Sequence, residues 1–389
     1  MNPGNLKVFI TAGEASGDTL GAGLMRALKE KTAARVNFEG VGGPQMEAQG
    51  LRSLFPMQDL SVMGVAEVLP RLNLILKRIR QTARRIEDEN PDIVVTIDSP
   101  DFSFRVARLI KNPSVMIHYV APTVWAWRPG RAKKVADLYD GIVCLLPFEP
   151  LYFEAEGMKA VFTGHPMLES GFERADGEGL RARLGIAPEQ KVLGVLFGSR
   201  GGELRRTGYV LREAALKIVQ KNPDMQLVTL TLPHLKSRID TLLEGFPCKT
   251  HVLTDAASKW SAFAAMDVAM ATSGTVGLEL AVTGVPHVIA YKINALTHFL
   301  IRSRIKAKYA HLANILLDRE VVPEFIQKNC TADAIAGAVE KILRGEKTQR
   351  AELEKVRGLL QRVGTTSPSL QAADFILSFQ PYFRFSTGM

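Results

Sequence analysis

Short apolar runs alternate with longer stretches of helical spacing along this chain. Leu6–Ala12 is apolar almost throughout and predicts a strand, and Leu20–Thr32 after it carries helical periodicity. Val36–Gly40 predicts a second strand and Leu72–Asn90 a long helix. Asp92–Ile97, Val115–Val120 and Gly141–Leu146 then repeat the strand pattern. The run Ile93-Val94-Val95-Thr96-Ile97 has no apolar–polar alternation, as expected of a strand buried on both faces. Strands of that kind separated by helices predict a parallel, doubly wound α/β sheet.

A compositional shift follows. Glu169–Lys191 carries Gly171, Gly177, Gly179 and many charges, and reads as a linker running into a short helix. The alternation then resumes. Strands are predicted at Val192–Phe197, Met225–Thr231, Val268–Ala271 and His287–Ile289, and helices at Glu203–Gln220, Trp260–Ala265 and Val276–Thr283. Ala332–Arg344, Thr348–Val363 and Leu370–Phe379 are helical. The expectation is two Rossmann-like domains, residues 1–170 and 185–364, facing one another across a cleft, with 365–389 packing back on the first. The length of 389 residues agrees, at about 150 residues per domain.

Composition narrows the setting. Apolar residues make up 46% and charged residues 23%, which excludes a largely disordered chain. Cys144, Cys248 and Cys330 are too scattered for a disulfide framework or a zinc knuckle, so a reducing compartment is expected. The chain opens without a secretory h-region. The apolar stretch Leu280–Tyr291 is too short to span a bilayer and is broken by Gly284-Val285-Pro286. The expected location is the cytoplasm or a membrane surface. Forty-nine basic residues against 40 acidic ones give a net charge of +9, which favours anionic partners.

In doubly wound sheets ligands bind beyond the carboxyl ends of the strands, so the loops there are the first candidates for a site. Gly198-Ser199-Arg200-Gly201-Gly202-Glu203 runs from strand to helix. Its glycines permit close backbone approach, and Arg200 can fork onto a diphosphate. The same residues would also make a tight turn bearing a surface arginine. Ala271–Glu279 has the same placement. Ser273 or Thr275 can cap the helix, Gly274 permits close approach, and Glu279 shares a face with Thr275. A carboxylate there suits ribose hydroxyls, or is simply a surface glutamate.

Asp98 ends a buried strand, where desolvation would raise its pKa toward that of a useful general base; an Asx turn before Pro100 is the plainer alternative. Glu14, Ser16 and Asp18, after the first strand, suit hydroxyl-rich groups, or are early acids of a helix. Trp125 and Trp127, with Arg128, could line an acceptor pocket or serve the core.

The segment Leu60–Arg85 interleaves Val62, Val65, Val68, Leu69, Leu72, Ile75 and Leu76 with Arg78, Arg80 and further cations. That mixture fits an interfacial helix on anionic lipid as well as an amphipathic helix packed on the sheet. Nucleic acid is disfavoured, because the cations alternate with Leu and Ile rather than with stacking aromatics. None of the seven histidines has metal-ligand spacing, and His165 is the one best placed to face a cleft.

Taken in series, Gly13–Asp18, Gly40–Met46, Ile97–Phe102, Val124–Arg128, Gly164-His165-Pro166, Gly198-Ser199-Arg200 and Thr272–Thr275 resemble the lipid-A-disaccharide synthase family, from about residue 6 to 320. The resemblance implies a GT-B glycosyltransferase that inverts the anomeric centre without a metal or other cofactor, the UDP-sugar being a substrate. The implied donor is UDP-2,3-diacylglucosamine and the implied acceptor 2,3-diacylglucosamine 1-phosphate. The products would be the β-1,6 disaccharide 1-phosphate and UDP.

It further implies Asp98 as general base, Arg200 as diphosphate clamp and Asn314 as an asparagine important to activity. Gly198, Ser199, Ser273, Gly274, Thr275 and Glu279 would hold UDP. The first domain would face acceptor and membrane, on the inner face of the inner membrane, and a homodimer is allowed. Departures from the family pattern are Phe197 in place of a proline, Ala313-Asn314-Ile315-Leu316, and Gly364-Thr365-Thr366-Ser367-Pro368. The rival readings are another UDP-sugar GT-B enzyme, such as a 2-epimerase or a lipid-linked peptidoglycan transferase, and a non-catalytic binder of acidic lipid.

Overall fold

The computed structural model describes residues 5–60, 65–111, 114–127, 130–292, 307–345, 349–361 and 366–380; for 65–70 and Trp127 it describes the backbone alone. The chain divides into two compact units. The first comprises residues up to Glu169 together with those from Leu360 onward, and the second runs from Ser170 to Leu359.

The first unit is built on a seven-stranded sheet. Its strands are β1 (Leu6–Ala12), β2 (Val36–Val41), β3 (Arg52–Ser53), β4 (Ile93–Ile97), β5 (Val115–Tyr119), β6 (Gly141–Cys144) and β7 (Lys159–Phe162), in the order β3-β2-β1-β4-β5-β6-β7. The paired strands are parallel. Both faces are covered. Val8, Ile10 and Ala12 of β1 join one apolar cluster, while Phe9 joins the cluster on the other side. This explains why β4 is buried at every position and shows no alternation.

The chain order reverses between β1 and β4, whose register pairs Ala12 with Ile97. The loops after those two strands therefore emerge side by side. Gly13 lies against Ser99 so closely that a Cβ there would come within 2.5 Å of the serine oxygen.

The helix Pro368–Leu377 belongs to the first unit. Its Ala372, Ala373, Ile376 and Leu377 enter the β1-side cluster, and it packs on the helix Ala15–Lys31. Lys31 pairs with Asp374 at 2.8 Å, and Ser369 donates to Glu169.

The second unit has a six-stranded parallel sheet. Its strands are β8 (Val192–Leu196), β9 (Gln226–Leu230), β10 (Thr250–Leu253), β11 (Val268–Thr272), β12 (His287–Tyr291) and β13 (Glu324–Ile326), in the order β10-β9-β8-β11-β12-β13. Here the order reverses between β8 and β11, whose register pairs Leu196 with Ala271. The Gly198 and Gly274 loops are thus neighbours. The segment expected to be a linker contains the helix Gly177–Leu184, which packs on Lys259–Ala264 and is part of this unit.

Four strands lacked a sequence signal: β3, β7, β10 and β13. All lie at sheet edges and are two to four residues long, too short and too polar on one side to print an apolar run. The long basic helix starts at Val65, seven residues before its expected start, and runs to Glu89.

Candidate active site

At the carboxyl end of β4, Asp98 and Ser99 both have left-handed backbones, with φ of 49° and 44°. Such conformations cost non-glycine residues about 1 kcal/mol or more each and persist only where the surroundings over-determine them. Here Asp98 N–H continues the ladder to Tyr119 O (2.9 Å), Ser103 Oγ–H donates to Asp98 O (2.8 Å), and the amides of Phe102 and Ser103 both donate to Ser99 O. The result turns a carboxylate out of the strand end. Burial raises the Asp98 pKa above its ordinary value, and the backbone N–H of Ser99 opposes that rise. A desolvated carboxylate with a raised pKa is a stronger base than a solvated one.

The neighbouring loop distributes its acids differently from expectation. Glu14 is half-buried and Ser16 exposed at the start of Ala15–Lys31. Asp18 is buried at 2% exposure, and its carboxylate is consumed. Oδ1 accepts from Gly43 N (2.9 Å) and Met46 N (3.0 Å), and Oδ2 from Gln45 N (3.0 Å). Its expected role as an acceptor-loop ligand is therefore corrected. Asp18 holds the start of the helix Pro44–Glu47, where the amides of a first turn lack partners of their own.

After β5, Trp125 Nε1–H donates to Glu149 Oε1 (3.2 Å) and meets Phe148 edge-on. Glu149 is buried and accepts from Leu145 N and Leu146 N through its other oxygen. Burial pushes its carboxyl up to about 7 against the pull of those bonds. Glu149 thus ties the Trp125 loop to the loop after β6. The Trp127 side chain and Arg128 lie outside the described residues. His118 is a core residue beside Thr96 and Tyr139, and burial lowers its pKa to about 3. His165 is likewise enclosed: Nδ1 accepts from Met167 N, and burial lowers its pKa to about 4.

In the second unit a cavity of about 570 Å³ opens at the β8/β11 reversal. Gly198, Ser199, Arg200, Ser273, Gly274, Thr275 and Glu279 all line it. Gly274 is the N-cap of Thr275–Val282, and neither Ser273 nor Thr275 makes the expected side-chain cap. A Cβ on Gly274 would meet nothing within 4 Å, so ligand atoms can approach this backbone. A helix N-terminus presented in this way suits an anion.

Glu279 is half-buried, with Lys259 Nζ 2.9 Å away. Lys259 in turn lies 4.3 Å from the Trp260 ring.

The Gly198 loop is organised by Glu203, a role the sequence reading missed. Glu203 Oε2 accepts from Ser199 N (3.1 Å) and Arg200 N (3.3 Å), and Oε1 lies 3.6 Å from Arg200 Nη1. Two amides of this turn are thus held internally. Arg200, with 57% of its side chain exposed, is the turn's outward cation. The signal was present as a glutamate three residues beyond the N-cap, the spacing of a capping box.

Asn314 is fully buried. Its Nδ2 donates to Val322 O and Glu324 Oε1, and its Oδ1 accepts from Val321 N and Val322 N. These four bonds engage the side chain expected among the catalytic residues and pin the turn 321–324. His311, at the start of the same helix, meets His287 with 2.9 Å between their Nε2 atoms. It also abuts Gly277 on the helix Thr275–Val282. Asn314 is thereby linked to the wall of the cavity.

Of the residues expected to touch membrane, Val62 lies outside the described residues, as do the side chains of Val65, Val68 and Leu69. Leu72 is 38% exposed. Ile75 and Leu76 pack against the cluster that holds Phe9 and Val94. Arg78 pairs with Asp59 at 2.7 Å and covers the Phe55 ring, which makes it a packing residue. Arg71, Lys77, Arg80 and Arg84 form the exposed face. Among the described residues no helix is long and apolar enough to cross a membrane, and no cluster of three or more His, Cys, Asp or Glu side chains is arranged to hold a metal ion.

Two all-parallel sheets, the second with a ligand-sized cavity at its order reversal, define a GT-B protein. Solved structures agree at the level of fold. The chain superposes on the UDP-GlcNAc 2-epimerase of Neisseria meningitidis bound to UDP-GlcNAc with a TM-score of 0.60 at 13% identity, covering 96% of this chain and 98% of that one. It superposes on MurG of Acinetobacter baumannii with a TM-score of 0.55 at 15% identity, covering 97% and 100%. The family profile described as lipid-A-disaccharide synthetase matches residues 8–375. The lipid-A-disaccharide synthase of Rhodospirillum centenum is 46% identical over 378 residues, 96% of this chain and 94% of the relative. That of Paramagnetospirillum magneticum is 41% identical over 379 residues, 96% and 97% respectively. The chain belongs to the lipid-A-disaccharide synthase family, and it is a UDP-sugar glycosyltransferase.

Proposed function

We propose that this enzyme transfers 2,3-diacylglucosamine from its UDP derivative to the 6-hydroxyl of 2,3-diacylglucosamine 1-phosphate. The products are the β-1,6 disaccharide 1-phosphate of Gram-negative lipopolysaccharide synthesis and UDP. Asp98 takes the proton of the acceptor hydroxyl as its oxygen attacks the anomeric carbon. UDP leaves from the opposite face, and the configuration inverts. Negative charge grows on the leaving diphosphate, and Arg200 receives it together with the N-terminal amides of Thr275–Val282, a role that its exposed side chain supports. Glu279 addresses the ribose, with Lys259 keeping its carboxylate oriented. The observation that carries the reading is the strained, desolvated Asp98 in a family member whose second unit holds a nucleotide-sized cavity.

Both substrates are lipids. The exposed Arg71, Lys77, Arg80 and Arg84 beside Leu72 support peripheral attachment to an anionic bilayer, on the cytoplasmic side of the inner membrane.

The test is UDP release from the acylated donor, with and without acceptor. Asp98→Asn is expected to lower kcat by about 10²–10⁴ while UDP affinity holds. In the wild-type enzyme the acid limb of kcat/KM should lie above the ordinary carboxylate value, and Asp98→Asn should lose it. Arg200→Ala is expected to weaken UDP binding and to lower kcat by about 10²–10³. Retention of most turnover by Asp98→Asn would remove that residue from the mechanism.

A further inference from the structure

The helix Pro100–Ala107 opens two residues after Asp98, and beside it the helix Arg131–Ala136 follows the tryptophan loop. Between the two lies a pocket of about 390 Å³ that the nucleotide chemistry does not use. Arg105 and Arg108 enter it from the first helix, and Arg131 and Lys134 from the second. Both pairs have the i, i+3 spacing that places side chains on one helical face. Phe104 supplies a buried apolar wall.

Among the described residues the only carboxylate lining the pocket is Asp101, whose side chain is 93% exposed and 3.6 Å from Arg131. It can offset at most one of the four cations. Arg105, Arg108 and Lys134 are exposed and free to turn toward a ligand, and a cluster of four cations beside one carboxylate matches a phosphomonoester of about −2 charge far better than a neutral sugar. At about 1.5 Å per residue the turn from Pro100 to Phe104 rises about 6 Å. Pro100 and Asp101 already line the pocket, so it begins beside the turn that follows Asp98 and extends about one sugar ring along the helix.

We infer that this pocket binds the anomeric phosphate of the acceptor and so fixes which end of the sugar is offered to Asp98. The inference rests on the proposed acceptor and deepens it by naming the side chains that select a phosphorylated sugar. The same cations could instead hold phosphate headgroups of the bilayer, since the adjacent helix Val65–Glu89 carries the basic face. The experiment separates the two.

The full-length enzyme and Arg105→Ala/Arg108→Ala are assayed with the acceptor and with its dephosphorylated counterpart, and both proteins are cosedimented with phosphatidylglycerol vesicles. The expected result is a fall of about tenfold or more in the kcat/KM ratio of phosphorylated to dephosphorylated acceptor, with donor KM, UDP affinity and vesicle binding unchanged. Arg105→Lys/Arg108→Lys is expected to restore part of the ratio. An unchanged ratio overturns the inference, and an unchanged ratio with lost vesicle binding assigns the pocket to bilayer headgroups. Wild-type enzyme that releases no UDP with either acceptor would overturn the proposed reaction itself. Glucosamine 1-phosphate binding, read by calorimetry on wild type and variant, would still report on the pocket.

Discussion

Glu203 offers the sharpest check on how the proposed diphosphate end of the cavity is built. Its carboxylate holds the amides of Ser199 and Arg200 and stands beside the Arg200 guanidinium, with only 13% of its own side chain exposed. Replacing it with alanine releases two backbone N–H groups and frees the loop. Two hydrogen bonds at about 0.5–1.5 kcal/mol each come to about 1–3 kcal/mol. If all of that is felt by the loop, UDP affinity falls about 5- to 150-fold. The exposed Arg200 contact adds little, being screened by solvent. Glu203→Gln keeps an oxygen for the same amides and removes the charge near the diphosphate, so its UDP affinity should match or exceed that of wild type. Calorimetric titration with UDP, beside a thermal melt of each variant, reads both effects. Tighter binding by Glu203→Ala than by wild type would refute the reasoning. Glu203 would then be a competitor seated in the anion's place rather than the group that shapes the turn.

Further outcomes follow from groups whose partners the structure supplies. Glu149 has its pKa raised to about 7 by burial. The folded state therefore binds a proton that the unfolded chain has already lost, and stability contributed by this group falls as pH rises from about 4.5 to about 7, by at most about 3 kcal/mol. Melting temperature should decline less between pH 5 and 8 in Glu149→Gln than in wild type, and parallel slopes would remove Glu149 as the cause. Asp18→Ala leaves three backbone amides without their acceptor, those of Gly43 and Met46 buried, and should destabilise the first unit by about 3 kcal/mol in denaturant melts. Ser16→Ala, on an exposed side chain, should leave stability within about 0.5 kcal/mol. Lys77→Glu/Arg80→Glu/Arg84→Glu should lose anionic-vesicle binding yet turn over detergent-dispersed substrate, whereas Arg78→Ala should lower the melting temperature by breaking the Asp59 pair. Unchanged vesicle binding in the triple variant would place membrane contact elsewhere.

Much of this architecture could be read from the amino acids because burial leaves a periodic trace. The fully buried β4 wrote itself as Ile-Val-Val-Thr-Ile, and the two glycine loops declared themselves by falling between an apolar run and a helix. The motif series also sufficed to place the chain in its family. Edge strands left no such trace, since one side faces water and the other a single neighbour.

What tertiary structure decided is which polar side chains remain available. Asp18 sits in a short acidic motif that reads as a ligand loop, yet it is consumed by amides more than 20 residues away. Arg78 and Arg80 sit two residues apart in one helix, and only Arg78 finds an acid and an aromatic ring beneath it. Asn314 is spent on a neighbouring loop and Glu203 on its own turn. Local sequence sets backbone conformation through sterics and the spacing of apolar groups. The allocation of a carboxylate or an amide to scaffold or ligand depends on donors brought close only when the sheet assembles.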